Sequence, residues 1–192
     1  MKKLIKMCAH CSKILLVMIL SVFLIGTSAK KDSWEKLNKQ AYNLYGQGLY
    51  SEAAAVAEEA LTVAEKTFGP NHPKFAQSLN NLAGLYEAQG KYAEAEPLYK
   101  RSLKIREKAL GPEHPDVAQS LNNLAGLYYA QGKYAEAEPL FERSLKIREK
   151  ALGPEHPDVA QSLNNLAGLY RKIGKEDEAE ILETRARKIR SR

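Results

Sequence analysis

The ten-residue phrase Gln-Ser-Leu-Asn-Asn-Leu-Ala-Gly-Leu-Tyr occurs three times unchanged, at Gln77–Tyr86, Gln119–Tyr128 and Gln161–Tyr170, and both intervals are 42 residues. A fixed period of this length restricts the chain to a repeat architecture, in which each unit buries its apolar face by stacking on its neighbours. The units His72–Glu113 and His114–Glu155 differ at only five positions. Such near-identity means that both meet almost the same surroundings, with a repeat on each side. A duplicated body also supplies no unique cluster of titratable residues, so function is to be sought on a surface rather than in a catalytic pocket.

Each period divides into two helices. In the unit that starts at His72, the first helix is expected from Pro73 to Ala88. Pro73 suits the first helical position, where its missing N–H would have no partner, and Gly90 suits the left-handed residue that closes the helix. Leu79, Leu82, Ala83 and Tyr86 recur at three- and four-residue spacing and form an apolar stripe. The second helix is expected from Tyr92 to Leu110, with Tyr92, Ala95, Tyr99, Ser102 and Ala109 along one face, and it stops at Gly111-Pro112. Pro97 lies just inside its start and is expected to bend it or delay its first hydrogen bonds; Ala55 and Ile181 at the matching positions show that the proline is dispensable. The fold class that follows is all-α, an α-solenoid of about four helix-turn-helix repeats at 33–71, 72–113, 114–155 and 156–192. The terminal units depart from the pattern. The first starts with Ser33-Trp34 and keeps Gly48, Tyr50, Ala53 and Ala60. In the last, Tyr134, Phe141 and Leu145 give way to Glu176, Glu183 and Arg187, which makes the C-terminal helix a solvent-facing cap.

Before the repeats, Lys2, Lys3, Lys6 and Lys13 lead into an apolar run from Ile14 to Ile25 interrupted only by Ser21, followed by Gly26-Thr27-Ser28-Ala29. Twelve helical residues reach about 18 Å, well short of the roughly 30 Å hydrocarbon core of a bilayer. Residues 1–29 therefore read as a signal peptide cleaved after Ala29, leaving a domain over 30–192 and an exported protein, periplasmic or secreted. The alternative is an uncleaved anchor formed by residues 14–25, the one way in which the chain would touch a membrane as a spanning protein. The net charge of +6 owes much to this leader: without its lysines, 25 basic residues face 23 acidic ones. Arg185, Arg187, Lys188, Arg190 and Arg192 crowd the C-terminus, where they suit an acidic partner or anionic lipid, and no nucleic-acid footprint is left. Cys8 and Cys11, with His10 between them, lack a second ligand pair for zinc and fall in the leader.

The units resemble tetratricopeptide repeats, on Leu79, Leu82, Ala83, Tyr86, Gly90, Tyr92, Ala95 and Tyr99 and their counterparts over essentially all of residues 33–192. The 42-residue length, the extended second helix ending Lys104-Ile105-Arg106-Glu107-Lys108-Ala109-Leu110-Gly111 and the Gly-Pro-Glu-His-Pro-Asp linker are similar to the kinesin-light-chain subclass. The resemblance implies a right-handed superhelix whose first helices line a concave groove that receives a segment of a partner protein. A leader peptide is out of place in a motor subunit, so the fold and groove carry over and cargo transport does not.

The candidate groove residues lie on the first helices, on a face rotated from the apolar stripe. Stepping by three or four from Gln77 gives Asn80, Gly84 and Glu87; the matching residues are Gln119, Asn122, Tyr129 and Gln161, Asn164, Arg171, with Asn38 and Tyr45 in the first unit. Asn38, Asn80, Asn122 and Asn164 thus recur every 42 residues. An amide offers donors and an acceptor, so a ladder of them can hold the backbone of an extended peptide, and in the resembling family asparagines at this point line the groove. The competing reading is that they bond the neighbouring repeat and fix the stacking. The adjacent Asn81, Asn123 and Asn165 are assigned mainly to inter-helix structure. Tyr45, Glu87, Tyr129 and Arg171 change in chemistry from unit to unit, which suits a partner held by its backbone and selected by its side chains, and equally suits a neutral solvated face.

His72, His114 and His156 each precede a proline at a helix start, in separate repeats, and are expected to contribute to turns rather than to one metal site. No nucleophile, base and orienting residue converge, and no glycine-rich phosphate loop follows a strand. The sequence thus points to a non-enzymatic, monomeric scaffold that binds a protein or peptide partner and needs no cofactor. The alternatives are a membrane-anchored assembly factor that self-associates, and an accessory subunit of an envelope enzyme.

Overall fold

The computed structural model describes residues 31–191; the proposed leader and its cysteines lie outside them. Eight helices follow one another: α1 (31–46), α2 (Tyr50–Phe68), α3 (Pro73–Ala88), α4 (Tyr92–Leu110), α5 (Pro115–Ala130), α6 (Tyr134–Leu152), α7 (Pro157–Lys172) and α8 (Glu176–Arg190). No strand occurs among the described residues. The α3 and α4 bounds are those expected from the sequence.

The turns impose a period shorter than the 42-residue repeat. Seven glycines with positive φ stand at 48, 69, 90, 111, 132, 153 and 174, one every 21 residues, so every connection between described helices turns on a glycine. Gly90, at φ +72°, closes α3 by donating its N–H to the Glu87 carbonyl at 2.9 Å while Lys91 N–H reaches the Tyr86 carbonyl at 2.8 Å. A side chain there would be strained, because L-residues rarely adopt this backbone. The next helix starts differently. Nδ1 of His72, His114 and His156 accepts the N–H of Lys74, Asp116 and Asp158, each at 3.1 Å, so the repeated histidines are N-caps for α3, α5 and α7.

Leu79, Leu82 and Ala83 are buried, as are Ala95, Tyr99 and Ser102 on the second helix. Ala109 departs from the expected stripe and is exposed. The buried face runs instead through Ile105 and Arg106, and the last turn of α4 adds only the half-buried Glu107 and Leu110. Pro97 does not interrupt its helix: α4, with proline, and α2, with Ala55, both span 19 residues. At the C-terminal end α8 buries Ala179, Ala186 and Ile189 but exposes Glu176 and Arg187. Phe141, the counterpart of Glu183 one unit earlier, packs in the core with Leu166 and Leu169 of the following unit.

Between units the contact is polar as well as apolar. Arg148, only 2% exposed, donates from Nη1 to the Asp158 carbonyl at 3.1 Å and Ser162 Oγ at 2.9 Å, and from Nη2 to Gln119 Oε1 at 2.7 Å. Arg106 repeats the arrangement with the Asp116 carbonyl and Ser120 Oγ. Burial lowers both guanidinium pKa values, yet a guanidinium stays charged in a protein, and these neutral oxygens are what accept its protons. The first junction uses another solution. Its arginine position is Ala64, and Trp34 replaces the small residue found at Ala76, Ala118 and Ala160. The indole packs with Ala64 and donates Nε1–H to Ser78 Oγ at 2.8 Å. Two substitutions therefore compensate, one ring taking both the space and the hydrogen bond of the guanidinium.

Removing such a buried, multiply bonded side chain leaves its acceptors without donors. Arg148→Ala is expected to destabilise the fold by about 2–3 kcal/mol, whereas Arg190→Ala, at the equivalent but exposed place in α8, should stay within about 0.5 kcal/mol of wild type. Urea denaturation followed by circular dichroism measures both, and equal losses would remove the assigned role of the arginine.

Candidate binding clefts

Three clefts open along one row. The first, of about 250 Å³, lies between α1 and α3 and takes in Asn38, Tyr42, Tyr45, Asn80 and Gly84. Another, of about 290 Å³, lies between α5 and α7 and takes in Asn122, Gly126, Tyr129, Asn164 and Gly168. A wider one, of about 610 Å³, continues past α7 onto α8, where Arg171, Glu180, Glu183 and Arg187 join Asn164 and Gly168. Of the residues expected to bind a partner, these clefts gather the four asparagines together with Tyr45, Tyr129 and Arg171. Gln77, Gln119, Gln161 and Glu87 line none of the three.

The asparagines serve the stacking and the clefts at once. Asn81 donates Nδ2–H to Asn38 Oδ1 at 3.0 Å, Asn123 to Asn80 Oδ1 at 3.1 Å, and Asn165 to Asn122 Oδ1 at 2.8 Å. Each bond joins one first helix to the next, so the two asparagines of the repeated phrase belong to successive rungs of one ladder. Asn38 also donates to the Trp34 carbonyl at 2.8 Å. The Nδ2 groups of Asn80 and Asn122 have no acceptor among the described residues and remain available. Gln119 is taken up by the interface, donating to Asn123 Oδ1 at 2.7 Å while accepting from Arg148.

The variable residues at the end of the first helix each find a partner in the second helix of their own unit. Tyr45 and Tyr50 approach with ring centroids 5.4 Å apart, and Tyr129 and Tyr134 at 5.6 Å. Glu87 accepts the Tyr99 O–H at 2.8 Å. Arg171 clasps Glu183 through Nε and Nη2, both at 2.9 Å, and reaches Glu176 at 2.8 Å. Tyr99 and Glu183 are equivalent positions, so the pairs Glu87–Tyr99 and Arg171–Glu183 change together. Arg171 holds the Glu183 carboxyl below its usual range. Burial pushes the Glu87 carboxyl up, only partly opposed by the Tyr99 hydrogen bond.

Tyr42 escaped the reading of the sequence. It stands 42 residues before Gly84 and so occupies the position that is glycine in the other three units; applying the register to the first, divergent unit would have found it. Glu180 and Arg187 likewise enter a cleft, the one that runs from α7 onto the exposed face of α8.

A row of clefts floored by first helices, with no strand among the described residues, defines a helix-pair solenoid with an extended lateral surface. The sequence profile of the family "Tetratricopeptide repeat" matches residues 35–108, 74–150 and 116–192, and the chain belongs to that family. BtubC (BKLC) from P. vanneervenii has a similar structure, with TM-score 0.74 and 28% identity over 82% of this chain; the chain spans 63% of that protein. The "kinesin light chain nearly identical TPR-like repeats" of Podosopora anserina are similar at TM-score 0.59 and 25% identity, over 82% of this chain and 94% of that one. These likenesses place the repeats in the kinesin-light-chain-like group. No curated protein matches the sequence.

The raised Glu87 carboxyl fixes the sign of a pH effect. A group whose pKa is higher folded than unfolded favours the fold below its ordinary range and loses that contribution as pH rises through the folded value. Ionised Glu87 is therefore a cost at neutral pH. Glu87→Gln keeps an acceptor for Tyr99 and should melt higher than wild type at pH 7, the gap closing below about pH 4, where carboxyls are protonated in both states. Thermal melts across this range test it; a gap independent of pH contradicts the assignment.

Proposed function

We propose that this chain is a non-enzymatic, exported scaffold that holds an extended segment of another protein along its row of clefts. Tetratricopeptide repeats generally mediate protein–protein interaction, and the finer reading rests on the cleft floor. Gly126 and Gly168 sit inside helices, where glycine is less stable than alanine by roughly 0.5–1 kcal/mol. Neither is required by the protein's own packing: a Cβ built on either meets nothing within 4 Å. Bare backbone inside a cleft leaves room for another backbone to approach closely. The free Nδ2 groups of Asn80 and Asn122 supply donors for its carbonyls. Export is read from the short apolar run and small residues of 1–29, and cleavage there would give an exported protein beginning at Lys30.

Gly126→Ala and Gly168→Ala should each stabilise the chain by about 0.5–1 kcal/mol, measured by urea denaturation. A photo-crosslinking benzoyl-phenylalanine at Gly126 should capture a peptide of another envelope protein, identified by mass spectrometry. The same group at Lys104, an exposed position on α4, should not. Equal capture at both positions, or none at Gly126, contradicts the groove reading.

A further inference from the structure

Two neighbouring second helices carry opposite charge on their outer faces. At the register positions of Glu58, Glu59 and Thr62 in α2, the next unit has Lys100, Arg101 and Lys104 in α4, and all six side chains are exposed. These positions lie in the middle of each helix, where the helix dipole, felt only in the first and last turns, has no preference for either sign. Glu58 accepts the Tyr86 hydroxyl and Lys100 pairs with Glu96. Glu59, Glu65, Arg101 and Lys104 form no ion pair among the described residues. The register even supplies a bridge that goes unused. Glu107 holds Arg143 at 2.7 Å between α4 and α6, and Glu149 holds Arg185 between α6 and α8. The same positions on α2 and α4 are Glu65 and Arg101, yet Arg101 lies over the Phe75 ring instead, 4.9 Å from its centroid. On α6 no such ridge is left free, because Glu142 accepts the Tyr170 hydroxyl and Arg143 is held by Glu107.

We infer that the outer face of α2 and α4 is a self-complementary docking surface for a second copy of this chain, paired about a two-fold axis that runs along the helices between them. A negative ridge beside a positive one matches itself after a half-turn, which is the isologous contact of a symmetric dimer. Heights match as well. Glu59 and Arg101 are register equivalents, and α2 and α4 are separated by two reversals of the chain, so both stand at the same level on helices that run the same way. The half-turn therefore lays Glu59 of each copy on Arg101 of the other, with Glu65 and Lys104 alongside. Two helices from each copy make a small contact without an apolar centre, so the dimer is weak and sensitive to salt. This departs from the monomer expected of the sequence and stands independently of the groove reading. The clefts are floored by first helices, so a contact through second helices leaves both rows open. A partner that carries two segments is then gripped twice.

The test is sedimentation velocity of the full chain at several concentrations, with charge-reversed variants. At about 0.01 M ionic strength, where the screening length is about 30 Å, wild type is expected to shift toward dimer as concentration rises. At about 1 M, where that length is about 3 Å, it should be monomeric. Glu59→Lys, which alters two contacts at once by symmetry, should weaken the dimer about tenfold. Two double variants give the sharper result. Glu59→Lys/Glu65→Lys makes both ridges positive and Arg101→Glu/Lys104→Glu makes both negative, so each alone should remain monomeric. Mixed in equal amounts they should form a heterodimer, since the positive ridges of one meet the negative ridges of the other. All four side chains are exposed, and an unchanged helical spectrum is expected for each variant. The inference is overturned if wild type stays monomeric at low salt, if either double variant dimerises alone like wild type, or if the mixture fails to associate. Association that persists at about 1 M salt, as contact through the apolar leader would, overturns it too, and so do species that keep growing beyond a dimer. None of these outcomes touches the groove reading, which fails separately if Gly126 yields no crosslink.

Discussion

No unit of this chain can cover its own second helix, and the rest of the structure depends on that incompleteness. The surface left by α4 is finished by α5, and that of α6 by α7, through the buried guanidinium–serine contacts of Arg106 with Ser120 and Arg148 with Ser162. A buried arginine is an expensive way to join two apolar surfaces unless its donors are met by well-placed oxygens, so the joint also fixes the angle and register at which one unit meets the next. The asparagine ladder does the same on the cleft side, where Asn80 and Asn123 tie α3 to α5. Apolar packing supplies the driving force for stacking; these polar contacts decide how the units stack.

Much of the fold was legible because local chemistry and long-range pattern agreed. Proline at the first position and glycine beyond the last delimit α3, and the glycine-proline pair after Leu110 stops α4. What failed was finer. Ala109 was placed on the buried stripe from spacing alone, yet a helix leaves its neighbour where the two axes diverge, and spacing carries no information on axes. Trp34 and Ala64 lie in different helices and are each unremarkable; their mutual compensation becomes visible only when both are set against Ala76 and Arg106 in register.

The candidate site was legible in outline but not in its division of labour. An asparagine that bonds a neighbouring repeat while lining a cleft bears out the stacking reading and leaves the binding reading compatible with it, because its carbonyl and its amino group are separate functions on one side chain. The varied residues Glu87 and Arg171 owe part of their variation to Tyr99 and Glu183 inside their own units. The glycine floor at Gly126 and Gly168 carries more weight than the amides for this reason. It is a cost in helix stability that no internal contact repays.

The near-identity of the two central units has a consequence for the size of the molecule. Because the Arg106 and Arg148 junctions share the same carbonyl and serine contacts, a further copy of residues 114–155 placed between them would present a matching face at each end. Length in such a protein is a separable variable, like the number of links in a chain. The terminal units, with Trp34 at one end and Glu183 at the other, set what the ends look like; the count of near-identical units between them sets the length of the row of clefts. Reach can change by whole units of 42 residues while every contact within the body stays as it is.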